Sequence, residues 1–230
     1  MAAWKHLVAL PPFPIRIDEA ALVVIDMTKQ QASRDHGLCR RLIDEGFEGE
    51  LEYYLERIDN PVTPAIVRLA DCFRRLGASV TYTRCASLTG DGSDQTARHR
   101  AIGLIAGLDS EDSQFLPDLA PEPGDIVLNK TGSSVFNSTN YEHLLRNMHV
   151  KTLVVSGIFT NSCVEGTIRD AGDLDFQVLM AEDACAAMSP AGHANAIQYL
   201  DANFCHVKAT DDIIAELASS AGTREAEAVR

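Results

Sequence analysis

The chain has 230 residues, of which 46% are hydrophobic and 23% charged, and its formal net charge is −13. This length and apolar share are enough to bury the core of an ordinary domain, and we expect residues 1–230 to form a single one. The acidic balance repels nucleic acid and anionic lipid, so neither is favoured as a partner.

The N-terminal segment predicts an extended arm over residues 1–19, because Pro11, Pro12 and Pro14 exclude a helix there. This segment has no long apolar stretch of the kind that a signal peptide or a membrane span requires. The six cysteines are scattered and form no Cys-x-x-Cys pair, which favours free thiols in a reducing compartment. We therefore expect a cytoplasmic protein.

Apolar, β-branched runs alternate with helical patterns along the rest of the chain. The predicted strands are AALVVIDM (20–27), ASVTYTR (78–84), GDIVLNK (124–130), KTLVVSGI (151–158), FQVLMAED (176–183) and a last one from CHVK (205–208). The predicted helices include 49–58, the segment from Ile66 to its stop at Gly77, 138–150 with Ser138 or Thr139 as N-cap, 162–175, 189–204 and the segment after 208. The tail 218–230 is polar and is expected to fray.

This alternation predicts an α/β fold with three layers, in which a mostly parallel sheet has helices on both faces. The long segments 28–60 and 86–120 are only loosely assigned, the first as loop plus helix and the second as a connection that could help to cover a site.

Three reactive side chains follow three of the predicted strands: Asp26, Lys130 and Cys163. Each has an ordinary alternative, because an aspartate there often caps the next helix, a lysine is usually solvated and a cysteine often packs as a small apolar side chain. Ligands of a parallel sheet bind at the carboxyl ends of its strands. All three groups at that one edge indicate a catalytic site.

The chemistry of these groups is that of nucleophilic catalysis. A cysteine near a helix N-terminus and a cation has a lowered pKa, and Cys163 is expected in the first turn of a helix with Lys130 beside it. Asp26 would accept the thiol proton and return it to the leaving group. The N–H of Cys163 and one from the preceding turn could bind an oxyanion.

The stretches LVVIDM, GDIVLNKTGSSVF and LVVSGIFTNSCVEGTIRDAGDLDFQVLMAEDACAA resemble the isochorismatase-like cysteine hydrolases, over roughly residues 20–215. That family includes nicotinamidases and biuret, ureidoacrylate and N-carbamoylsarcosine hydrolases. The resemblance implies that Asp26 is the general base and acid, Lys130 the electrostatic partner and Cys163 the nucleophile. It also implies a cis peptide at Ile158–Phe159, which would aim the Phe159 N–H at the oxyanion.

Several features depart from the family pattern or stay undecided. Asn161 replaces a carboxylate that the family often carries beside the cysteine, and TYTRCASLTGDG lacks the histidine of the nicotinamidase metal cluster, so we expect no metal and no cofactor. Phe136, Asn161 and Glu165 are predicted substrate contacts, because each lies a few residues from a proposed catalytic group. The fourth predicted contact, Gln31, follows Asp26.

Other polar residues receive plainer interpretations. Gln95, Arg98 and Arg100 lie near the expected mouth of the site, where an arginine could clamp a substrate, although a solvated loop is the favoured interpretation. His99 and His143 are taken as surface or packing residues, and Cys185 as a packing residue.

The leading hypothesis is a cysteine amidohydrolase that cleaves a C–N bond of a small linear amide or ureide, such as biuret, triuret or an N-carbamoyl compound, through a thioester. One alternative is hydrolysis of the vinyl ether of isochorismate, which does not need the thiol. Another is a non-catalytic binding module on the same fold. By resemblance only, a homo-oligomer, either dimer or tetramer, is expected.

Overall fold

In the computed structural model, which describes residues 9–228 and side chains through residue 221, six strands form one sheet. These strands are β1 Ala20–Ile25, β2 Ser79–Cys85, β3 Ile126–Lys130, β4 Thr152–Ile158, β5 Gln177–Ala186 and β6 His206–Lys208. Their order across the sheet is β3-β2-β1-β4-β5-β6, and every pairing is parallel. The predicted parallel sheet is confirmed.

Helices cover both faces of this sheet. In the described residues they are α1 Lys29–Ala32, α2 Gly37–Asp44, α3 Glu48–Arg57, α4 Thr63–Arg75, α5 Ala97–Ala101, α6 Val135–Ser138, α7 Tyr141–Asn147, α8 Glu165–Asp173, α9 Pro190–Leu200 and α10 Thr210–Ala228. Within the same part of the chain, no helix is both long and apolar enough to cross a lipid bilayer.

Two hydrophobic cores result, one on each face of the sheet. Along β1, Leu22 and Val24 belong to the core that holds residues of α3, α4 and α10, whereas Val23 and Ile25 belong to the core under α7, α8 and α9. Successive side chains of a strand point to opposite faces, so a strand buried on both sides must be apolar throughout. The run AALVVI satisfies this requirement, and all six residues are buried.

The predicted helix over 138–150 is wrong in its first turn. The chain forms α6, leaves helical geometry at Thr139 and starts α7 at Tyr141, with Asn140 rather than Ser138 or Thr139 as N-cap. The Thr139 hydroxyl accounts for the break, because it accepts the Tyr141 N–H at 3.1 Å and donates to the Val135 carbonyl at 2.7 Å. One side chain thereby serves two short helices.

The structure of the N-terminal arm and of the C-terminal tail can be compared with the predictions. Helix α10 continues to Ala228 through a stretch rich in the helix formers alanine and glutamate, so the tail expected to fray is helical over residues 218–228. The arm is non-helical over residues 9–16 and ends in a short 3₁₀ turn, Ile17–Glu19; its first eight residues lie outside the described part. The Leu10 N–H donates to the Ala202 carbonyl at 2.9 Å.

The ends of β1 and β4 approach each other closely at Gly157. This glycine pairs with Ile25 and has a φ of +106°. A Cβ atom there would lie 2.1 Å from the Ile25 carbonyl oxygen. Only glycine fits, and the close approach sets Asp26 and the turn after β4 side by side.

We predict that Gly157→Ala lowers the free energy of unfolding by about 2–4 kcal/mol, because the added methyl group meets backbone atoms and the φ angle disfavours L-residues. Gly49→Ala is the matched control. It places a methyl group on helix α3 with no atom within 4 Å, and should change stability by about 1 kcal/mol or less. Urea unfolding followed by circular dichroism measures both, and equal effects would contradict the role given to Gly157.

Candidate active site

The ammonium group of Lys130 lies at the centre of a fully buried polar cluster. Its Nζ is 2.7 Å from Asp26 Oδ2, 3.0 Å from Cys85 Sγ and 3.3 Å from Cys163 Sγ. A fourth contact, at 3.0 Å, is to the carbonyl oxygen of Gly132. The structure thus brings the three sequence-predicted catalytic residues together and adds a fourth side chain, Cys85.

The sheet explains why these residues meet. Lys130 is the last residue of β3, Cys85 is the last of β2, and Asp26 directly follows β1. Asp26 adopts a left-handed backbone with φ of 57°, and its Oδ1 accepts the Thr83 hydroxyl at 3.3 Å. Asp26 and Lys130 are predicted because they lie at the carboxyl ends of parallel strands. The same reasoning would find Cys85 if the second predicted strand were extended by one residue.

Cys163 enters from the other side of Asp26. It lies in an irregular helical turn, Thr160–Val164, and the regular helix α8 begins two residues later at Glu165. The prediction that Cys163 occupies the first α-helical turn is therefore corrected by two residues. The thiol still precedes a helix N-terminus, where backbone N–H groups favour negative charge.

Burial and the neighbouring charges set the protonation states of the cluster. Burial raises the pKa of the Asp26 carboxyl to about 7, although Lys130 opposes that rise. Burial alone would lower the pKa of the Lys130 ammonium, but Asp26 and the two thiols raise it well above its usual value. A carboxyl group with a pKa near neutrality can both accept and donate a proton under working conditions.

The pKa values of the Cys163 and Cys85 thiols are shifted in opposite directions. The pKa of Cys163 lies well below its usual value, because the interaction with the Cys85 side chain and the positive charge of Lys130 both favour the thiolate against the effect of burial. The pKa of Cys85 is raised by its interaction with Cys163 and by burial, and its thiol donates to Asp26 Oδ2 at 3.6 Å. The arrangement therefore holds a Cys163 thiolate beside a protonated Cys85.

The position of the Lys130 ammonium group disfavours a metal ion in this cluster. The ligand atoms of Asp26, Cys85 and Cys163 all lie within 4.8 Å of one another, which is a spacing that could hold a cation. The Lys130 Nζ, however, lies within 3.3 Å of all three residues and already supplies the positive charge. A metal ion at that point would be repelled by the ammonium group.

The turn before Cys163 has the geometry that the resemblance implies. The Ile158–Phe159 peptide bond is cis. The N–H groups of Ser162 and Val164 both donate to the Phe159 carbonyl, at 2.9 and 3.2 Å. The predicted oxyanion donors, the N–H groups of Phe159 and Cys163, belong to this tight turn; their role stays a prediction.

Of the four predicted substrate contacts, Gln31 lies against the cluster. Its side-chain Nε2 donates to the Asp26 carbonyl at 3.5 Å, and the residue is fully buried. The backbone carbonyl of Gln31 accepts a hydrogen bond from the Tyr54 hydroxyl at 2.8 Å, and the Tyr54 ring lies 5.3 Å from the Phe159 ring. Gln31 and Tyr54 thereby link the segment after β1 to the turn after β4.

The other three predicted contacts have different partners. The Phe136 ring packs 5.3 Å from the Tyr141 ring in the core under α7. Glu165 forms an ion pair with Arg169 at 2.7 Å along α8, and Asn161 is exposed. Nearness along the chain did not bring these side chains into contact with the cluster, since a turn and a helix point successive residues in different directions.

Helix α5 covers the cluster from outside. The Thr96 N–H donates to the Thr131 carbonyl at 3.1 Å, and the Arg98 guanidinium donates to Ser133 Oγ at 3.0 Å and to Ser162 Oγ at 3.1 Å. These bonds fasten α5 to the loops that carry Lys130 and Cys163. Arg98 is solvent-exposed as expected, but it lies on a helix rather than in a loop and is bonded to both neighbouring loops.

A sequence model of the Isochorismatase domain matches residues 20–212. The chain belongs to the isochorismatase family. Among the relatives is "Ureidoacrylate amidohydrolase RutB" of Variovorax paradoxus, 28% identical over 219 residues that make up 90% of this chain and 84% of the relative. The RutB protein of an Enterobacter species is 43% identical over 88 residues, 38% of each chain.

Solved structures agree with this family assignment. A cysteine hydrolase from Pseudomonas syringae pv. phaseolicola is similar with a TM-score of 0.76 and 26% identity, covering 92% of this chain and 98% of its own. An N-carbamoylsarcosine amidase from Thermoplasma acidophilum is similar with a TM-score of 0.64 and 25% identity, covering 84% and 97%. The expected three-layer fold of the family is thereby confirmed.

We predict that iodoacetamide alkylates Cys163 with a pH midpoint well below that of an ordinary thiol, and that Lys130→Met moves this midpoint upward. The sign follows from charge: removing the cation destabilises the thiolate, so its pKa rises. Peptide mass spectrometry over a pH series measures the midpoint. Lys151→Met, which removes an exposed lysine paired with Glu19, is the control; an unmoved midpoint in Lys130→Met would refute the ion-pair assignment.

Proposed function

We propose that this isochorismatase-family hydrolase is a cysteine-dependent amidohydrolase that cleaves the terminal C–N bond of a small linear ureide, R–NH–CO–NH₂, and releases ammonia. The observation that carries the proposal is the buried thiolate–ammonium–carboxylate cluster of Cys163, Lys130 and Asp26. Two relatives of the family support the ureide class, since the names ureidoacrylate amidohydrolase and N-carbamoylsarcosine amidase both describe C–N cleavage of a carbamoyl compound.

In the first half-reaction, the Cys163 thiolate attacks the terminal carbonyl carbon and a C–S bond forms. The developing oxyanion accepts hydrogen bonds from the N–H groups of Phe159 and Cys163. The C–N bond then breaks, and Asp26 donates its proton to the departing nitrogen, which leaves as ammonia. The product on the enzyme is a thioester, which for a ureide is a thiocarbamate.

In the second half-reaction, Asp26 acts as a base. It accepts a proton from water, whose oxygen attacks the carbonyl carbon of the thioester. The C–S bond breaks and the sulfur leaves as a thiolate beside Lys130. The product is a carbamic acid, R–NH–COOH, which loses its proton to water to give the carbamate, and Asp26 is left protonated for the next cycle; its pKa of about 7 suits both directions of proton transfer.

The biuret, triuret and N-carbamoyl compounds named from the sequence are all members of this ureide class. The proposal therefore keeps the class and leaves R open. Neither vinyl-ether hydrolysis nor a non-catalytic module explains why a thiol with a lowered pKa lies beside a carboxyl group that titrates near neutrality. Both alternatives are outcomes of the tests below.

We predict that the wild-type protein releases ammonia from at least one of biuret, triuret, ureidoacrylate and N-carbamoyl amino acids, and that Cys163→Ala lowers kcat by at least about 1,000-fold. A coupled ammonia assay measures both. Cys205→Ala, which removes a buried thiol in the core under α9, is the control. Turnover retained in Cys163→Ala would overturn the thiol mechanism and, with isochorismate as substrate, would support vinyl-ether hydrolysis.

We also predict that Asp26→Asn lowers kcat by about 100- to 10,000-fold, because an amide can neither accept nor donate the transferred proton. The wild-type pH profile of kcat/KM should bend near pH 7, where Asp26 titrates, and the variant should lose that bend. A variant with wild-type activity and an unaltered profile would show that the acid–base group is elsewhere.

A further inference from the structure

Buried polar atoms that lack a hydrogen-bond partner gather beside the catalytic cluster. Among the described side chains, four such atoms are Gln30 Nε2, Gln31 Oε1, Gln95 Nε2 and His99 Nε2. A buried polar atom that stays without a partner destabilises the protein. Gln31 bonds the Asp26 carbonyl, and His99, the partner of Gln95, feels the charges of Lys130 and Asp26, whereas Gln30 bonds Ala106 through its Oε1 at 3.3 Å. The remaining three atoms indicate a position where a ligand supplies the missing bonds.

Two of these side chains belong to helix α5 and the residues just before it: His99 lies on the helix and Gln95 precedes its N-cap, Thr96. Its backbone is fastened beside Lys130 through the Thr96–Thr131 bond and beside Cys163 through the Arg98–Ser162 bond. Gln95 immediately precedes the first of these attachment points and His99 immediately follows the second. Both side chains are at most 2% exposed, and the His99 ring is close enough to feel the charges of Lys130 and Asp26.

The hydrogen-bonding character of the pair follows from one contact. His99 Nδ1 lies 3.2 Å from Gln95 Oε1, and with the amide in this orientation its oxygen accepts, which assigns the imidazole proton to Nδ1. Burial, and then the charge of Lys130, lower the pKa of His99 to about 4, which keeps the ring neutral near pH 7. His99 Nε2 is therefore a free acceptor and Gln95 Nε2 a free donor.

We propose that His99 and Gln95 determine substrate specificity by binding the internal N–H of the ureide and an oxygen of its R group. The assignment rests on the proposed function. With the scissile carbonyl oxygen at the oxyanion donors, the adjacent N–H donates to His99 Nε2. An oxygen of R, such as the second carbonyl of biuret or the carboxylate of an N-carbamoyl amino acid, accepts from Gln95 Nε2.

The consequence is selection of ureides over simple amides. If a methylene group replaces the internal N–H, His99 Nε2 stays buried and unpaired. A site built to bond a polar group rejects the analogue that lacks it. Gln31 Oε1 is a further buried acceptor without a partner, on an amide whose Nε2 donates to the Asp26 carbonyl.

The test uses pairs of substrates that differ only in this N–H: biuret against malonamide, and N-carbamoylglycine against succinamate. Steady-state kcat/KM is measured for each pair in wild type, His99→Asn and His99→Gln. The asparagine amide can still bond Gln95 but removes the acceptor at Nε2, whereas the longer glutamine places an amide oxygen near the Nε2 position. His143→Asn is the control, since His143 is exposed on α7 and bonds Asn147.

We expect His99→Asn to lower the ureide-to-amide ratio of kcat/KM by about 10- to 100-fold. His99→Gln should recover most of the ratio, and His143→Asn should match wild type. If ureide and amide fall by the same factor in His99→Asn, the histidine only positions α5 and the specificity assignment is wrong, while the thiol mechanism stands.

A binding measurement separates this assignment from the proposed function. In a Cys163→Ala background, ligand-observed NMR compares binding of biuret and malonamide with and without the His99→Asn change. If Cys163→Ala binds biuret in preference to malonamide and loses that preference with His99→Asn, the specificity role of His99 and Gln95 is supported. This holds even if the wild-type protein turns over neither compound. Equal binding of biuret and malonamide in Cys163→Ala would overturn it.

Discussion

The ion pair between Lys130 and Asp26, 2.7 Å apart and wholly buried, is the interaction on which the site depends. A buried charge is stable only when it is paired and hydrogen-bonded, so each member of the cluster requires the others. The lysine occupies the point where a metal ion would lie and stabilises the Cys163 thiolate, while Asp26 is left with a pKa near 7. Neighbouring groups of the cluster therefore differ in charge and in the chemistry they can perform.

The fold supplies this arrangement because its strands are parallel. Their carboxyl ends meet at one edge, where β1, β2 and β3 deliver Asp26, Cys85 and Lys130. The close approach at Gly157 brings the turn that carries Cys163 beside them. The cluster is buried, which strengthens every electrostatic interaction inside it, and helix α5 is bonded to the loops beside it.

The sequence predicts what depends on local pattern. The apolar runs before Asp26, Lys130 and Cys163 predict both the sheet and the edge where these residues meet. Long-range hydrogen bonds escape such reasoning: nothing in the segment 86–120 indicates that Thr96 bonds Thr131 or that Arg98 bonds Ser162, so His99 is assigned only to packing or surface. Phe136 and Glu165 are chosen by short distance along the chain, which does not fix the direction of a side chain; the structure pairs them with Tyr141 and Arg169, and their role as substrate contacts stays a prediction.

The central claim is covalent catalysis by Cys163, and its most direct test is to trap the intermediate. Wild-type protein and Asp26→Asn are mixed with the best ureide substrate, quenched in acid within the turnover time and examined by peptide mass spectrometry. The mechanism predicts a mass increase equal to the substrate minus ammonia on the peptide that contains Cys163, and more of it in Asp26→Asn if that variant acylates faster than it hydrolyses the adduct. Turnover that leaves no adduct on Cys163 in either protein, while Cys163→Ala releases ammonia at the wild-type rate, would contradict it.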